Sequence, residues 1–213
     1  MRTLNDEADI AAAVASLLAL EPRFAVVTAT HGHPPLRRAN PGLEGLLRII
    51  TDQLISRQAG IAIWQRIEAG LAPFEPLAIA RKREASLMRL GLSGAKARSF
   101  KAVAAAVANG TLDFKVLSHA PDAEVLAALT AIKGIGPWTA DIFLLTAMGR
   151  TDAWPAGDLA LQVAAQQLFA LAARPNHKEL TQIAESWRPW RSVAARLLWS
   201  HYRGLKGISQ TVL

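Results

Sequence analysis

The segment best suited to chemistry is a glycine-rich turn between two amphipathic stretches, within Leu129–Leu145. The turn Lys133–Gly136 (KGIG) is followed by Pro137, a residue that suits the first turn of a helix. Glycine permits positive φ and a close approach of the backbone. The N–H groups of the following helix start carry partial positive charge beside Lys133, so we predict an anion site for phosphate. A glycine turn between two helices is also common without any ligand.

Asp158 is a carboxylate placed directly before the apolar stretch Leu159–Phe169. An aspartate in that position caps the N-terminus of a helix, where a negative charge is favoured. Judged locally, a structural cap is the simpler interpretation. A cap does not exclude a chemical role, and both interpretations stay open at this point.

Taken together, these features resemble the helix-hairpin-helix superfamily of DNA glycosylases. The string Ile132–Ala140 (IKGIGPWTA) is similar to the DNA-binding hairpin of that family, and the loop Trp154–Asp158 (WPAGD) follows at the family's spacing. The resemblance to the 3-methyladenine DNA glycosylase II branch covers residues 43–202. Four further stretches carry it: Ile49–Ser56, Gly91–Lys96, Gly149–Asp152 and Trp187–Trp199.

The resemblance implies hydrolysis of the N-glycosidic bond of an alkylated purine in double-stranded DNA. The transition state is oxocarbenium-like, and Asp158 would stabilise its positive sugar and orient water. Bifunctional members of the family use a lysine where this chain has Trp138, and tryptophan cannot form a Schiff base. The resemblance therefore implies a monofunctional enzyme that leaves an abasic site.

Base excision requires the target base to leave the stack, and an inserted side chain usually fills the gap. The resemblance places that wedge in the stretch Gln53–Ser56, and within it we choose Leu54. Leu54 also continues the apolar face of a predicted helix and could instead be a core residue. A cationic alkylated purine stacks well on aromatic rings. We predict a base pocket from Trp138, Trp154 and Trp199, each of which could instead be a core residue.

The predicted contacts to DNA phosphate form one further set: Lys133, Gly134, Gly136, Thr139 and Lys96. The resemblance also implies a monovalent cation, Na or K, held by backbone carbonyls at the hairpin. The residues that would supply these carbonyls are Thr130, Ile132 and Gly134. No cofactor is required for the chemistry.

The composition excludes several classes of protein. The 213 residues include no cysteine, which excludes disulfides, thiol catalysis and Cys-ligated zinc or iron–sulfur clusters. The formal net charge of +7 favours a polyanionic partner, although solvated positive surfaces without a partner are common. His31 and His33 have no third ligand at a suitable spacing, so we predict a solvated loop there.

The elements that position these residues are predicted to be almost all helical. The fold class is therefore all-α, a two-lobed glycosylase fold forming one domain over residues 1–213, with the hairpin at about 125–148. No additional N-terminal β domain is expected. The single candidate strand is Phe24–Thr30. Helices are predicted at Asp6–Leu20, Leu43–Ser56, Ile61–Ala69, Glu75–Leu90 (one or two), Gly94–Asn109, Pro121–Ala131, Pro137–Met148, Asp158–Ala172, Lys178–Trp187 and Pro189–Tyr202.

The expected partner is double-stranded DNA containing alkylated bases. No apolar run approaches the roughly 20 residues of a membrane span, and the start lacks the features of a signal peptide. We therefore expect a cytoplasmic monomer, associated with the nucleoid in a bacterium. The alternatives are a non-catalytic helix-hairpin-helix DNA-binding protein, a glycosylase for another lesion such as uracil or hypoxanthine, and an all-α interaction protein.

Overall fold

Short polar residues cap many of the helices in the computed structural model, which describes residues 2–207. Within that range no strand is present, and the all-α prediction is confirmed. Thirteen α-helices lie there: α1 Glu7–Leu20, α2 Ala25–His31, α3 Leu43–Asp52, α4 Arg57–Leu71, α5 Pro76–Arg81, α6 Glu84–Met88, α7 Gly94–Ala108, α8 Phe114–His119, α9 Asp122–Thr130, α10 Pro137–Ile142, α11 Leu159–Leu168, α12 His177–Ala184 and α13 Arg191–Leu205. A π-helical turn, Phe143–Ala147, continues α10 directly.

The chain divides into two compact units. Unit 1 combines Met1–Arg38 with Gly149–Leu213, and unit 2 is Ala39–Met148. The predicted Asp158, Trp154 and Trp199 lie in unit 1. Leu54, Lys96, Trp138 and the hairpin lie in unit 2.

The core of unit 1 is aromatic. Helix α13 packs against α11, α2 and α1. Phe24, Phe169 and Trp187 pack with ring centroids 5.3–5.7 Å apart, and Trp154 packs edge-to-face on Trp187 at 5.5 Å. Such pairs add to the free energy of ring burial. This cluster supports the loop that leads into Asp158.

The core of unit 2 is built around α7. Helices α3, α5 and α6 pack against it, and α9 packs against α10 across the hairpin. Leu46, Leu47 and Ile50 of α3 and Phe100 and Val103 of α7 are fully buried. The unit therefore fixes α3 and the hairpin relative to the same central helix.

The structure corrects several predicted elements. The expected strand Phe24–Thr30 is helix α2, because Phe24 and Val27 are buried at helical spacing. The predicted helix Leu43–Ser56 ends at Asp52, and a separate helix begins after Ser56. Helix α8 was not predicted. No helix in residues 2–207 has the length and apolarity needed to cross a bilayer.

Candidate active site

The loop Trp154–Asp158 ends in a capped helix start. Asp158 adopts an extended backbone, and its Oδ1 accepts hydrogen bonds from the N–H groups of Ala160 (2.9 Å) and Leu161 (3.1 Å). The Gln162 side chain donates to the Ala156 carbonyl at 3.0 Å and closes the turn. The carboxylate is half-buried. The predicted cap is therefore present, and it orients one carboxylate oxygen toward the first turn of α11.

Trp199 meets Asp158 directly. The indole Nε1 of Trp199, on α13, donates to Asp158 Oδ1 at 3.3 Å. The ring is half-buried. The structure thus brings together the predicted catalytic carboxylate and one predicted pocket aromatic within unit 1. Because three N–H groups approach one oxygen, the direction of the carboxyl group is well determined.

Trp154 belongs to the aromatic core of unit 1. Its side chain is only 6 % exposed and packs edge-to-face on Trp187. A ring that stacks on a flipped base must offer it a face, so this environment favours the core interpretation of Trp154 over the pocket prediction. Its contribution to the site is to hold the loop that carries Asp158.

The hairpin between α9 and α10 depends on Gly134. Its φ of +93° lies in a region that other residues rarely adopt. A Cβ at this position would overlap the hydroxyl of Ser99 on α7 and lie 3.0 Å from its Cβ. Glycine is therefore required twice, once for the turn and once for the close packing of the hairpin against α7.

The other end of the turn is open. Gly136 precedes α10, no described side chain caps that helix, and a Cβ at Gly136 would meet nothing within 4 Å. Lys133 is exposed. An uncapped helix start beside an exposed ammonium is suited to an anion, and the binding of phosphate there stays a prediction. Of the carbonyls predicted for a cation, that of Ile132 accepts the N–H of Ile135 at 3.0 Å.

Leu54 lies in the short loop between α3 and α4. Its φ is +54°, and its side chain is fully exposed, at 105 % of the reference accessibility. The alternative that Leu54 is a core residue is thus wrong, because the chain turns at Gln53 before the apolar face can continue. A leucine held in the left-handed region costs on the order of 1–3 kcal/mol, so the surrounding structure must impose this conformation.

Lys96 lies beneath this loop. Its Nζ donates to the carbonyls of Thr51 (2.8 Å) and Gln53 (2.7 Å) at the C-terminus of α3. Burial lowers the pKa of the Lys96 ammonium, and the nearby Asp52 carboxylate opposes that shift. The Lys96 ammonium therefore already has two backbone acceptors, and the predicted contact with DNA phosphate would compete with these hydrogen bonds.

Thr139 is buried on α10, with 2 % of its surface exposed. Its hydroxyl accepts a hydrogen bond of 2.7 Å from Gln53 Nε2. The Thr139 hydroxyl is thus hydrogen-bonded within unit 2. The backbone N–H is then the group of Thr139 to which the predicted phosphate contact applies. Gln53 was not singled out from the sequence, because its partner is 86 residues away.

Trp138 and His31 are half-buried and His33 is exposed, so the predicted solvated loop is wrong for His31, which is part of helix α2. Trp138 follows Pro137 on α10. His31 ends α2, and no group of three metal-binding side chains occurs among residues 2–207.

The family model of the HhH-GPD superfamily base excision DNA repair protein matches residues 47–189. The chain belongs to this superfamily. The matched range includes Leu54, the hairpin turn Lys133–Gly136 and Asp158. The matched range therefore includes residues of both units.

Three matches cover most of the length of the related sequence or structure. DNA-3-methyladenine glycosylase 1 of Schizosaccharomyces pombe is 30% identical over 160 residues, which are 73% of this chain and 70% of that protein. The crystal structure of a DNA-3-methyladenine glycosidase from Bacillus halodurans is 31% identical with a TM-score of 0.77, covering 92% of this chain and 91% of that one. The S. pombe 3-methyladenine DNA glycosylase Mag1, in complex with abasic DNA, is 26% identical with a TM-score of 0.81, covering 91% and 96%.

Proposed function

We propose that this HhH-GPD protein is a DNA glycosylase that excises alkylated purines of the 3-methyladenine type from duplex DNA, leaving an abasic site. The observation that carries the proposal is Asp158, a half-buried carboxylate oriented by the start of α11 and by Trp199. The relatives named as 3-methyladenine glycosylases support the substrate class.

In the proposed reaction, the C1′–N bond breaks and positive charge develops on the sugar. The bond's electron pair leaves with the base, and Asp158 stabilises the charge on the sugar. Asp158 also orients the water that adds to C1′ and accepts the proton which that water loses, before passing it to solvent. An alkylated purine already carries positive charge, so its departure as a neutral base needs little general-acid assistance. A single carboxylate is then sufficient.

The proposed enzyme has no lyase activity. Strand cleavage by this family's bifunctional mechanism requires a lysine amine that attacks the sugar carbon. Trp138 occupies the corresponding position in the hairpin, and an indole cannot form the Schiff base. The resemblance gives Trp138 and Trp199 a role in stacking on the cationic base, and we propose that role for each residue separately.

Duplex DNA is held at the hairpin in this proposal. The open start of α10 and the Lys133 ammonium bind a backbone phosphate. The backbone carbonyls of Thr130, Ile132 and Gly134 would hold a monovalent cation, whose positive charge would favour the same anion. Leu54 enters the space vacated by the flipped base. Burying an exposed leucine contributes about 1.5–3 kcal/mol, comparable with the few kcal/mol that flipping costs.

The test uses methylated duplex DNA and chromatography of the released bases. We expect 3-methyladenine and 7-methylguanine in the supernatant, with strands that break only after hot alkali. Strand breaks without alkali would contradict the monofunctional assignment. Duplex binding at low salt without any base release would favour the non-catalytic DNA-binding alternative, and release of uracil or hypoxanthine alone would favour another lesion class.

A further inference from the structure

We infer that Lys96 and Gln53 are positioning residues that hold Leu54 outward for insertion into the duplex, and that they tie the Leu54 loop to the DNA-binding hairpin. The inference rests on the proposed glycosylase function, because only a base-flipping protein needs a rigid apolar side chain in water. It reassigns Lys96 from a phosphate contact to a support for the wedge.

The conformation of Leu54 requires a cause outside the loop itself. A fully exposed leucine makes no packing contact that would repay a φ of +54°. Left alone, the residue would relax to an ordinary conformation and point elsewhere. Two hydrogen-bonded contacts on the preceding residues supply the restraint.

Lys96 supplies the first restraint. Its Nζ holds the carbonyls of Thr51 and Gln53 at 2.8 and 2.7 Å, and these two residues frame the last turn of α3. A cation is favoured at the C-terminus of a helix, where carbonyls lack partners. Two of the three ammonium N–H groups make these hydrogen bonds. A change of backbone conformation at Thr51 or Gln53 would therefore break at least one of them.

Gln53 supplies the second restraint. Its carbonyl is held by Lys96 from α7, and its side-chain amide donates to Thr139 Oγ1 on α10 at 2.7 Å. Because Thr139 is buried, this bond is shielded from competing water. Gln53 is therefore fixed at both its backbone and its side chain. The Leu54 loop thus keeps a fixed position relative to the hairpin.

Two other roles would explain Lys96. As a phosphate contact, its loss would weaken DNA binding and reduce the salt dependence. As a purely structural residue, its loss would lower stability and impair all substrates equally. A positioning residue has a different signature, since it matters only when the enzyme must itself open a base pair.

The experiment compares Lys96→Met with Lys101→Met, a matched control on the same helix. Lys101 Nζ also donates to a backbone carbonyl, that of Lys82, at 2.6 Å, far from the wedge in sequence. Single-turnover release of 7-methylguanine is measured from two duplexes. In one duplex the lesion is paired with a base, and in the other it lies opposite an abasic site and has no pairing partner. Thermal stability and the salt dependence of duplex binding are measured for each variant.

For Lys96→Met we expect release from the paired lesion to fall about tenfold or more, and release from the unpaired lesion to fall less than about threefold. The salt slope of binding should stay at the wild-type value, and Lys101→Met should release both lesions at the wild-type rate. Equal loss on both lesions, the same selective loss in Lys101→Met, or a slope reduced by about 0.9 would overturn the inference.

A double-mutant cycle tests the bond to the hairpin. Gln53→Ala and Thr139→Val each remove one partner, and Thr139→Ser restores the acceptor. We expect the single variants and the double variant to lose similar activity on the paired lesion, with recovery in Thr139→Ser. Additive losses would exclude the coupling. If the wild-type protein releases neither 7-methylguanine from these duplexes nor 3-methyladenine from methylated DNA, the glycosylase proposal itself fails. That outcome is distinct from failure of the positioning role.

Discussion

Two helix N-termini of the molecule differ in what occupies them. Asp158 caps helix α11, and its carboxylate accepts hydrogen bonds from two N–H groups of the first turn. Helix α10 begins after Gly136 without a side-chain cap, and the space where a Cβ would lie is open. At both helix N-termini, the first N–H groups have no acceptor within their own helix and carry partial positive charge. One end is closed by the chain's own anion, and the other is left for an anion from outside.

The difference shows how one backbone feature can serve catalysis and binding. At the closed end the donors orient a carboxylate that belongs to the protein. At the open end, we propose that the donors and Lys133 bind a phosphate oxygen. Four tests by substitution can break or sharpen this contrast.

Asp158→Asn should have the largest effect. Asparagine caps a helix about as well as aspartate, so thermal stability should be preserved, but the charge that stabilises the sugar cation is lost. We expect the single-turnover rate of base release to fall by about 10²–10³-fold. Duplex affinity should be unchanged in a binding assay with the same lesion. Normal release by the variant would show that Asp158 is only a cap.

Gly134→Ala should damage the open end through its supporting turn. The methyl group must adopt a φ of +93° and overlap the Ser99 hydroxyl, at a combined cost of about 2–4 kcal/mol. Thermal or denaturant unfolding measures this loss. Adding Ser99→Ala should recover part of the stability by removing the overlapped hydroxyl. Full recovery would mean that the backbone conformation costs nothing.

Lys133→Ala should weaken duplex binding without affecting stability, because the side chain is exposed. If Lys133 neutralises one phosphate, the slope of log affinity against log salt should become shallower by about 0.9. The loss should be the same for damaged and undamaged duplex, since phosphate contacts carry no base information. An unchanged slope would remove Lys133 from the DNA interface.

Gly136→Ala and Gly157→Ala form the mildest test, one methyl group at each helix end. A Cβ at Gly136 enters open space, and one at Gly157 makes an ordinary 3.7 Å contact with His177, so both variants should fold normally. We expect only Gly136→Ala to lower duplex affinity, by a few-fold, because it obstructs the approach of a phosphate. Equal affinity in the two variants would argue against anion binding at α10.

Local spacing predicted much of this molecule, and its failures have local causes. The capped helix at Asp158 and the hairpin turn follow from residue types a few positions apart. The residues Phe24–Thr30 are rich in β-branched side chains, but burial of Phe24 and Val27 on one face decided for a helix. Tertiary packing overrides propensity in such short segments.

The Leu54 loop could not be predicted because its restraints come from distant parts of the chain. Helical periodicity continues through Leu54, so the sequence favours a longer α3. The chain turns instead at Gln53, which is held by Lys96 from 43 residues away and bonded to Thr139 across 86 residues. Neither contact leaves a local pattern.

The cap at Asp158 also bears on how such a protein could change over generations. Serine, threonine and asparagine cap helices well, so folding alone does not demand a carboxylate at this position. A single nucleotide change from an aspartate codon can specify asparagine. If Asp158 is the catalytic residue, as proposed, a folded DNA-binding protein that no longer excises bases lies one mutational step from this chain.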